Sequence, residues 1–393
     1  MVKDVRPVVL VAHDTAPSQA LDRVKKNLEE QSAWSAADPN APRHLNPTWP
    51  VTAFLGYGKP SKASIEEIIS AVKQAAVVVL GMSNPADNAV VEIVAAKAAL
   101  DQGIPFGFYC DIYGCHYRPW FEEFRNSASF LFQISDSEAA SAQKLFPKAE
   151  VVASGNPIWE EWFLPLSSYE EVRAELGVGL DEKLIVLSGS KSPYTNMPMV
   201  IGVMEALHVP HKMYRKFQVL LSLHPSDVTL NPQNDLTDSL IKYPEPKIYY
   251  EEAAVTRYCG VPFRVIPGDR KSGIGGMSTS RLIVGSDLVI GPASTSEVEA
   301  AHRRKPAVSY LSCYSRGRNP ESYGQEEWQP AVLGASIGVY GDPTHLWQVI
   351  AGLLFYDGYV GQKRLQEREY PYREPGIAVS KMAATIQKYA RQS

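Results

Sequence analysis

The feature that most constrains the fold is an alternation of short apolar runs with helical stretches along the 393-residue chain. The runs are rich in β-branched residues and are continuously apolar, as expected of parallel strands that are covered on both faces. In the first half we predict strands at Pro7–Ala12, Val51–Leu55, Ala76–Leu80, Pro105–Tyr109, Ser129–Gln133 and Glu150–Ala153. In the second half we predict strands at Leu184–Leu187, Gln218–Leu223, Phe263–Ile266, Leu288–Ile290 and Ala307–Tyr310.

Helical patterns separate these strands. They cover Ile65–Lys73, Asn88–Gln102, Arg118–Phe124, Ser137–Leu145, Pro198–Leu207, Asn231–Ile241, Ser294–Arg303, His345–Phe355 and Ile377–Arg391. Two successive series of this kind predict an α/β protein with two Rossmann-like domains, whose parallel sheets face each other across a cleft. We place an N-terminal domain at 1–160, a C-terminal domain at 161–370 and a final helical segment at 371–393. One interpretation is that this segment crosses back and packs on the N-terminal domain.

The composition is that of a globular protein, with 45% hydrophobic and 21% charged residues and a net charge of −4. This balance argues against a nucleic-acid partner. The four cysteines are scattered, which predicts neither disulfides nor a metal site and favours a cytoplasmic location. No apolar run suits a signal peptide or a membrane span, so we expect a soluble protein, with peripheral membrane contact left open.

The strongest local signal is a small-residue turn between the strand ending at Ile290 and the next helix. Ser294, Thr295 and Ser296 stand where that helix begins, and free amides at a helix N-terminus together with hydroxyl groups favour an anion such as a diphosphate. Glu299, one turn further on, is a candidate acceptor for ribose hydroxyls. The alternative interpretation is a simple N-cap, with Glu297 completing a capping box.

This segment, followed by Lys305-Pro306, resembles the nucleotide-binding motif of GT-B glycosyltransferases. It is similar to that of the MurG-type N-acetylglucosaminyltransferases and of the non-hydrolysing UDP-N-acetylglucosamine 2-epimerases. Gly155-Asn156-Pro157 resembles the end of the family's N-terminal domain. The chain departs from the family at Pro292 to Thr295, where the family carries glycines. The resemblance implies a UDP-sugar as donor substrate, an unknown acceptor, and no bound cofactor or metal.

Other candidate residues also follow predicted strands. Ser190 lies where the family has a phosphate-binding loop, and His224 follows the next strand, where a capped turn is the alternative. In the first half, His13 is a candidate general base. Asp111 and His116 belong to a cluster of polar side chains after a buried strand, and they are candidate catalytic residues or parts of an ordinary surface loop.

Three functions fit these residues. The first is a metal-independent glycosyltransferase that moves a sugar from a nucleotide diphosphate to a hydroxyl group. The second is a sugar-nucleotide epimerase, which would need acid and base carboxyl groups and no acceptor. The third is a non-catalytic binding protein with the same fold, an option kept open by the missing glycines. A glycine-rich loop at Lys271–Gly276 is a weak additional candidate for contact with the base.

Overall fold

The computed structural model describes residues 6–37, 49–59, 63–214, 217–224, 227, 247–252, 260–266, 277–313 and 327–392. These residues divide into two compact units. The N-unit contains the described residues up to Glu161 and those from Arg373 onward, and the C-unit contains those from Trp162 to Tyr372. Within these ranges no helix is long and apolar enough to cross a membrane.

The N-unit is built on a parallel sheet with the strand order β2-β1-β3-β4-β5-β6. The strands are β1 (Val8–Ala12), β2 (Val51–Leu55), β3 (Val77–Leu80), β4 (Phe106–Tyr109), β5 (Phe130–Gln133) and β6 (Glu150–Ala153). The four inner strands are buried throughout, which explains why the sequence shows continuous apolar runs there. The outer strands β2 and β6 are half-buried.

Helices connect the N-unit strands. They are α1 (Thr15–Ala37), α2 (Ile65–Lys73), α3 (Val90–Asp101) and α4 (Asp136–Leu145). Shorter 3-10 helices cover Ala86–Ala89, Cys115–Tyr117, Pro119–Phe124 and Trp159–Phe163. The helix predicted at Arg118–Phe124 is therefore a 3-10 helix. Its Phe121 and Phe124 rings pack against Phe108 at centroid distances of 4.6 and 5.7 Å, so aromatic packing fixes this segment.

The C-unit has a second parallel sheet, with the strand order β12-β11-β10-β7-β8-β9. Its strands are β7 (Lys183–Ser188), β8 (Phe217–Ser222), β9 (Phe263–Ile266), β10 (Leu288–Gly291), β11 (Ala307–Tyr310) and β12 (Ile337–Val339). Its α-helices are α5 (Tyr169–Leu176), α6 (Pro193–Tyr214), α7 (Thr279–Gly285), α8 (Thr295–His302), α9 (Gln329–Val332), α10 (Pro343–Phe355) and α11 (Gly358–Glu369). A π-helix covers Lys247–Glu252.

The final helix, α12 (Ile377–Ala390), belongs to the N-unit. Its Met382 and Ile386 side chains lie in one core cluster with Val8 and Leu10 of β1. Its N-terminus is capped by the buried Glu160 carboxylate, which accepts hydrogen bonds from the amides of Gly376 (2.9 Å) and Ala378 (2.8 Å). The last helix therefore completes the core that the first strand begins.

The predicted fold class is confirmed, since each unit is a six-stranded parallel sheet of the Rossmann type within the described residues. Every predicted strand is present, with bounds that differ by at most one residue at either end. Helix α6 starts five residues before the predicted Pro198, at Pro193. The helix predicted at 231–241 and the glycine-rich loop at 271–276 lie outside the described residues.

Helix α11 was not predicted, and its contacts explain why. It is strongly polar and packs through glutamines instead of an apolar stripe. The Gln362 amide bonds both the N–H (3.1 Å) and the carbonyl (2.7 Å) of Ala307, and Gln366 donates to the carbonyls of Lys305 and Ala335 at 2.9 Å. A helix held in this way has no hydrophobic periodicity for sequence reading to detect.

Candidate functional site

The strand order of the N-unit places a topological switch between β1 and β3. From this point the chain builds the sheet outward in both directions, and ligands of such sheets bind outside the carboxyl ends of the two strands that flank the switch. The turns after these strands are hydrogen-bonded to each other. The Asp14 amide donates to Ser83 Oγ (2.8 Å), and the Asn84 amide donates to Asp14 Oδ2 (2.9 Å). The N-unit switch point is thus a defined arrangement of polar groups.

His13 lies at this switch point, as its position after β1 predicts. Its ring Nδ1 is 3.3 Å from Asp14 Oδ1, and both side chains are partly exposed, at 18% and 32%. A carboxylate that bonds Nδ1 fixes the tautomer in which Nε2 is an acceptor. This geometry suits a general base whose Nε2 takes a proton from a hydroxyl group.

Asp111 follows β4, two strands away from β1 in the sheet. Burial raises the pKa of Asp111, the Arg118 guanidinium opposes that rise, and the charge of Asp14 adds to it. The three groups therefore lie within electrostatic range of one another. The Asn156 amide donates to the Asp111 carbonyl (2.9 Å), so the Gly-Asn-Pro segment that carries part of the family resemblance supports this loop.

His116 lies beneath that loop and is fully buried. Its Nδ1 is 3.4 Å from Gln133 Nε2 and 3.6 Å from Glu138 Oε2. Burial lowers the pKa of His116 to about 4 and raises that of Glu138 to about 7. The structure therefore places a neutral imidazole under the site, away from the surface that His13 and Asp14 share. A catalytic role for His116 stays a prediction.

The switch point of the C-unit lies between β7 and β10. The turns after these strands meet, since the hydroxyl oxygens of Ser188 and Ser294 are 3.3 Å apart. Gly189 allows a close approach, because a Cβ at this position would lie 2.9 Å from the Ser222 carbonyl oxygen and 3.4 Å from the His224 amide nitrogen. The loops that carry Ser190, His224 and Ser294 therefore lie side by side. These three predicted binding residues would have to be neighbours in order to contact one ligand.

The Ser190 loop is held by a buried asparagine that sequence reasoning missed. Asn196 Oδ1 accepts the Ser190 amide (2.7 Å), and Asn196 Nδ2 donates to the Ser190 carbonyl (3.0 Å) and to Asp227 Oδ2 (2.8 Å). The phenol of Tyr250 donates to the same Asp227 oxygen (3.0 Å). This network fixes the backbone next to the switch point.

Helix α8 begins at the turn after β10, and the predicted capping box of Ser294 and Glu297 is present there. Ser294 is the N-cap, and Glu297 Oε1 accepts the Ser294 amide at 2.9 Å. The Ser296 amide is bonded to Ser294 Oγ (3.3 Å), whereas Thr295 is exposed. The groups that this helix end presents to a ligand are therefore mainly the hydroxyls of Thr295 and Ser296.

Two glutamates lie close behind these hydroxyls, and neither presents a free negative charge. Glu297 is fully buried, accepts hydrogen bonds from Trp328 Nε1 (2.7 Å) and from the Ser309 hydroxyl, and burial raises its pKa to about 8. Glu299 is also buried, and its two oxygens bond Arg303 Nε (2.9 Å) and Ser280 Oγ (3.0 Å). The ribose contact of Glu299 stays a prediction, since both oxygens already have protein partners.

Ala293, in the same turn, adopts a φ of +67°. This left-handed conformation favours glycine, because a Cβ is crowded by the backbone there. The family carries glycines in this turn, so the chain keeps the backbone shape that a glycine would adopt while using alanine. Among the described residues, no group of three or more His, Cys, Asp or Glu side chains could hold a metal ion.

No protein-family model matches the sequence, and no curated protein sequence matches it. Solved structures do match. A UDP-N-acetylglucosamine 2-epimerase from Neisseria meningitidis, bound to UDP-N-acetylglucosamine, has a TM-score of 0.56 and 14% identity over 97% of this chain and 100% of that chain. The Anabaena protein Alr3699/HepE in complex with UDP has a TM-score of 0.57 and 13% identity over 97% and 100% of the two chains. A glycosyltransferase from Rickettsia africae has a TM-score of 0.55 and 11% identity over 99% and 100%.

The chain has the GT-B fold. Identities of 11–14% establish the fold alone, since one fold supports several activities. The GT-B fold accounts for the two Rossmann-like sheets and for the resemblance of the β10–α8 segment. The activity has to be argued from the residues at the two switch points.

Proposed function

We propose that this chain is a sugar-nucleotide enzyme that holds the diphosphate of a UDP-sugar at the C-unit switch point and transfers the sugar to an acceptor hydroxyl. The observation that carries the proposal is the meeting of the Ser188, Ser190 and Ser294 turns where a Rossmann sheet binds its ligand. Two structures of the same fold contain UDP or a UDP-sugar, which supports this class of ligand.

The charge state of the C-unit switch point supports an anionic ligand. Hydroxyl groups and a helix N-terminus stabilise negative charge. Burial holds Glu297 largely neutral at pH 7, and Arg303 compensates Glu299. The two glutamates therefore do not repel a diphosphate. The proposal needs no metal or cofactor, because the helix dipole and the hydroxyls can offset the charge of the leaving diphosphate.

The N-unit switch point supplies the groups for the acceptor. His13, oriented by Asp14, would take the proton of the attacking hydroxyl, and Asp111 would bind a second hydroxyl or share the role of base. Carboxylates are poor neighbours for a diphosphate and good acceptors for hydroxyl donors. The C-unit switch point therefore suits the diphosphate of the donor, and the N-unit switch point suits the acceptor hydroxyl.

Epimerisation of the sugar nucleotide is the second candidate, and one observation favours it. The N-unit holds Asp14, Asp111 and Glu138 near one edge of its sheet, and the pKa of Glu138 is raised to about 7. A carboxyl group with a pKa near the working pH can both give and take a proton. That chemistry needs no acceptor, which provides the test.

The first experiment measures binding of UDP and of several UDP-sugars by calorimetry. Thr295→Ala should weaken UDP binding by about 10- to 100-fold, because a hydrogen bond to a charged group contributes about 1.5–3 kcal/mol. Thr344→Ala is the matched control, since Thr344 is also exposed in the first turn of a C-unit helix but follows the edge strand β12. Absence of binding to every nucleotide would reject the proposal and favour a non-catalytic protein.

The second experiment separates the two activities. The protein is incubated with UDP-N-acetylglucosamine alone, and the sugar is followed by NMR. Conversion to the 2-epimer without an acceptor would establish epimerisation and reject glycosyl transfer as the main activity. Release of UDP only when an acceptor is added would establish the transferase.

A further inference from the structure

Glu92 is a carboxylate in an apolar helix, and no role has been given to it so far. It lies in the first turn of α3 and is 0% exposed. Burial raises its pKa, since a charged group is disfavoured away from water. A side chain with this desolvation cost requires compensating contacts.

Those contacts are both at the N-unit switch point. Glu92 Oε1 accepts the His13 amide at 2.9 Å and also accepts the Ser83 hydroxyl. Ser83 Oγ in turn accepts the Asp14 amide, and Asp14 Oδ2 accepts the Asn84 amide. A continuous series of hydrogen bonds thus joins α3 to the turn after β1 and to the turn after β3.

The second carboxylate oxygen does not share in this arrangement. Glu92 Oε2 is buried and has no hydrogen-bond partner within the part of the chain that the structure describes. Half of the carboxylate is therefore uncompensated, and what Glu92 contributes passes through the single oxygen that faces the switch point. Glu160, which caps α12, differs from Glu92 in that both of its oxygens are bonded.

We propose that Glu92 is a positioning residue for the reaction at the N-unit. It fixes the backbone of His13 and Asp14 so that Asp14 Oδ1 meets His13 Nδ1 and Nε2 is left as the base. This inference rests on the proposed function, because it assigns Glu92 to the acceptor side of the same enzyme.

The turn that carries His13 lies among several ionisable groups. Asp14 belongs to the same turn, Glu92 approaches from α3, and Asp111 with Arg118 approaches from the loop after β4 and interacts electrostatically with Asp14. Replacing Glu92 by the isosteric glutamine keeps an oxygen that can accept both hydrogen bonds, whereas leucine fills a similar space and removes the acceptor. We therefore expect E92Q to keep the arrangement of His13 and Asp14 and E92L to lose it.

The test follows the ring 15N resonances of His13 by NMR at one pH, because they report which ring nitrogen carries the proton, and H13N identifies them among the eight histidines. In E92L the share of the tautomer with the proton on Nδ1 should fall about twofold or more, because the His13 turn is no longer held against Asp14, whereas E92Q should keep the wild-type share. E160L is the matched control, because it also removes a buried carboxylate that accepts hydrogen bonds in the N-unit. It should leave the His13 tautomer unchanged.

Three outcomes would overturn the inference. They are an unchanged His13 tautomer in E92L, an equal change in E160L, and loss of folded E92L protein, which would assign Glu92 to folding alone. UDP affinity is measured on the same variants and should not change in E92Q. Failure of the wild-type protein to bind nucleotides would reject the proposed function and leave the His13 result interpretable. Once a substrate is known, E92L should lower kcat with little change in the KM of the donor, and E92Q should restore most of the loss.

Discussion

The two sheets place different chemistry at equivalent positions. At the N-unit switch point, the turns after β1 and β3 carry an imidazole and carboxylates, and they are joined by hydrogen bonds that begin at Glu92. At the C-unit switch point, the turns after β7 and β10 carry hydroxyl groups, and the nearby carboxylates are neutral or paired. Each unit buries a glutamate beside its switch point, Glu92 in the N-unit and Glu297 in the C-unit. Both oxygens of Glu297 accept hydrogen bonds, whereas within the described residues only one oxygen of Glu92 does.

This difference shows how one sheet type supports two roles. The strand order fixes where a ligand binds, whereas side chains from the adjoining helices fix which charge the ligand can carry. In the N-unit the buried Glu92 bonds the turn that carries His13 and Asp14. In the C-unit the buried Glu297 is held neutral and caps α8 instead. The predictions that follow test this contrast, beginning with the largest expected effect.

Glu297→Ala should cause the largest loss of stability. It would leave the Ser294 amide, the Ser309 hydroxyl and the Trp328 indole N–H without their acceptor, at about 1–3 kcal/mol for each buried group. We expect a loss of about 3–5 kcal/mol in the free energy of unfolding, measured by urea denaturation. Glu175→Ala, which removes only an exposed ion pair with Arg281, should cost less than about 1 kcal/mol. Equal losses in the two variants would contradict the proposed network.

The pH dependence of stability should come next. The pKa of Glu297 is about 8 in the folded chain and near 4.5 in the unfolded chain, so the folded state binds the extra proton between these values. Its contribution to stability is complete below about pH 4.5 and is lost as the pH rises through 8. Between pH 6.5 and 8 the loss should be about 1–2 kcal/mol, from about 1.4 kcal/mol for each pH unit. Melting curves of the wild type and of Glu297→Gln test this, since the variant should lack that part of the slope.

His116 in the N-unit should contribute the opposite trend at lower pH. Burial lowers the pKa of His116 to about 4, below its value of 6.5 in an unfolded chain. Its contribution to stability is therefore present above pH 6.5 and is lost as the pH falls towards 4. His116→Gln should be less sensitive than the wild type to acid in this range, as melting temperatures at pH 4.5 and 7 would show. An unchanged acid slope would mean that His116 stays solvated.

Nucleotide affinity should separate the two switch points. Ser190→Ala should weaken UDP binding by only about threefold, because the hydroxyl that would bond the diphosphate must give up its bond to the Ser192 carbonyl. Asp14→Asn should leave UDP affinity within a factor of two and instead reduce turnover once a substrate is known. Isothermal titration measures both constants. A larger loss of affinity in Asp14→Asn than in Ser190→Ala would mean that the N-unit, and not the C-unit, binds the diphosphate.

The smallest effect is expected at Ala293. Its left-handed φ of +67° disfavours a side chain, so Ala293→Gly should stabilise the C-unit by up to about 1 kcal/mol, after the entropy that glycine adds to the unfolded chain. Ala300→Gly, inside helix α8, should instead destabilise by about 1 kcal/mol. Thermal denaturation of the pair reports the difference in sign. Destabilisation by both changes would mean that the Ala293 methyl group has packing that outweighs the strain.

The sequence predicted the sheets well because their signal is local. Continuous runs such as Val8 to Ala12 show burial on both faces without any knowledge of their neighbours. The capping box at Ser294 and Glu297 was also readable, since its spacing is fixed by one helical turn. Helix α11 was not, because its contacts with distant strands determine it, and at Pro119–Phe124 a helix was predicted but not its 3-10 type, since packing against Phe108 determines that.

The candidate site shows the same division. His13, Ser190 and Ser294 were found because each follows a strand. The partners that determine their chemistry are distant along the chain, as the 79 residues between His13 and Glu92 illustrate. The sequence did mark Glu92 as unusual, because it is the single acidic residue in the apolar run from Val90 to Leu100. It did not show that the partner of Glu92 is the turn that carries His13.

The place of α12 has a consequence for biosynthesis. The N-unit begins with β1, yet its core stays open on one side until Met382 and Ile386 have been added. A ribosome therefore completes the whole C-unit before the first sheet can close. Emerging N-unit strands would expose apolar surface during that interval, and surface of this kind favours aggregation until α12 covers it.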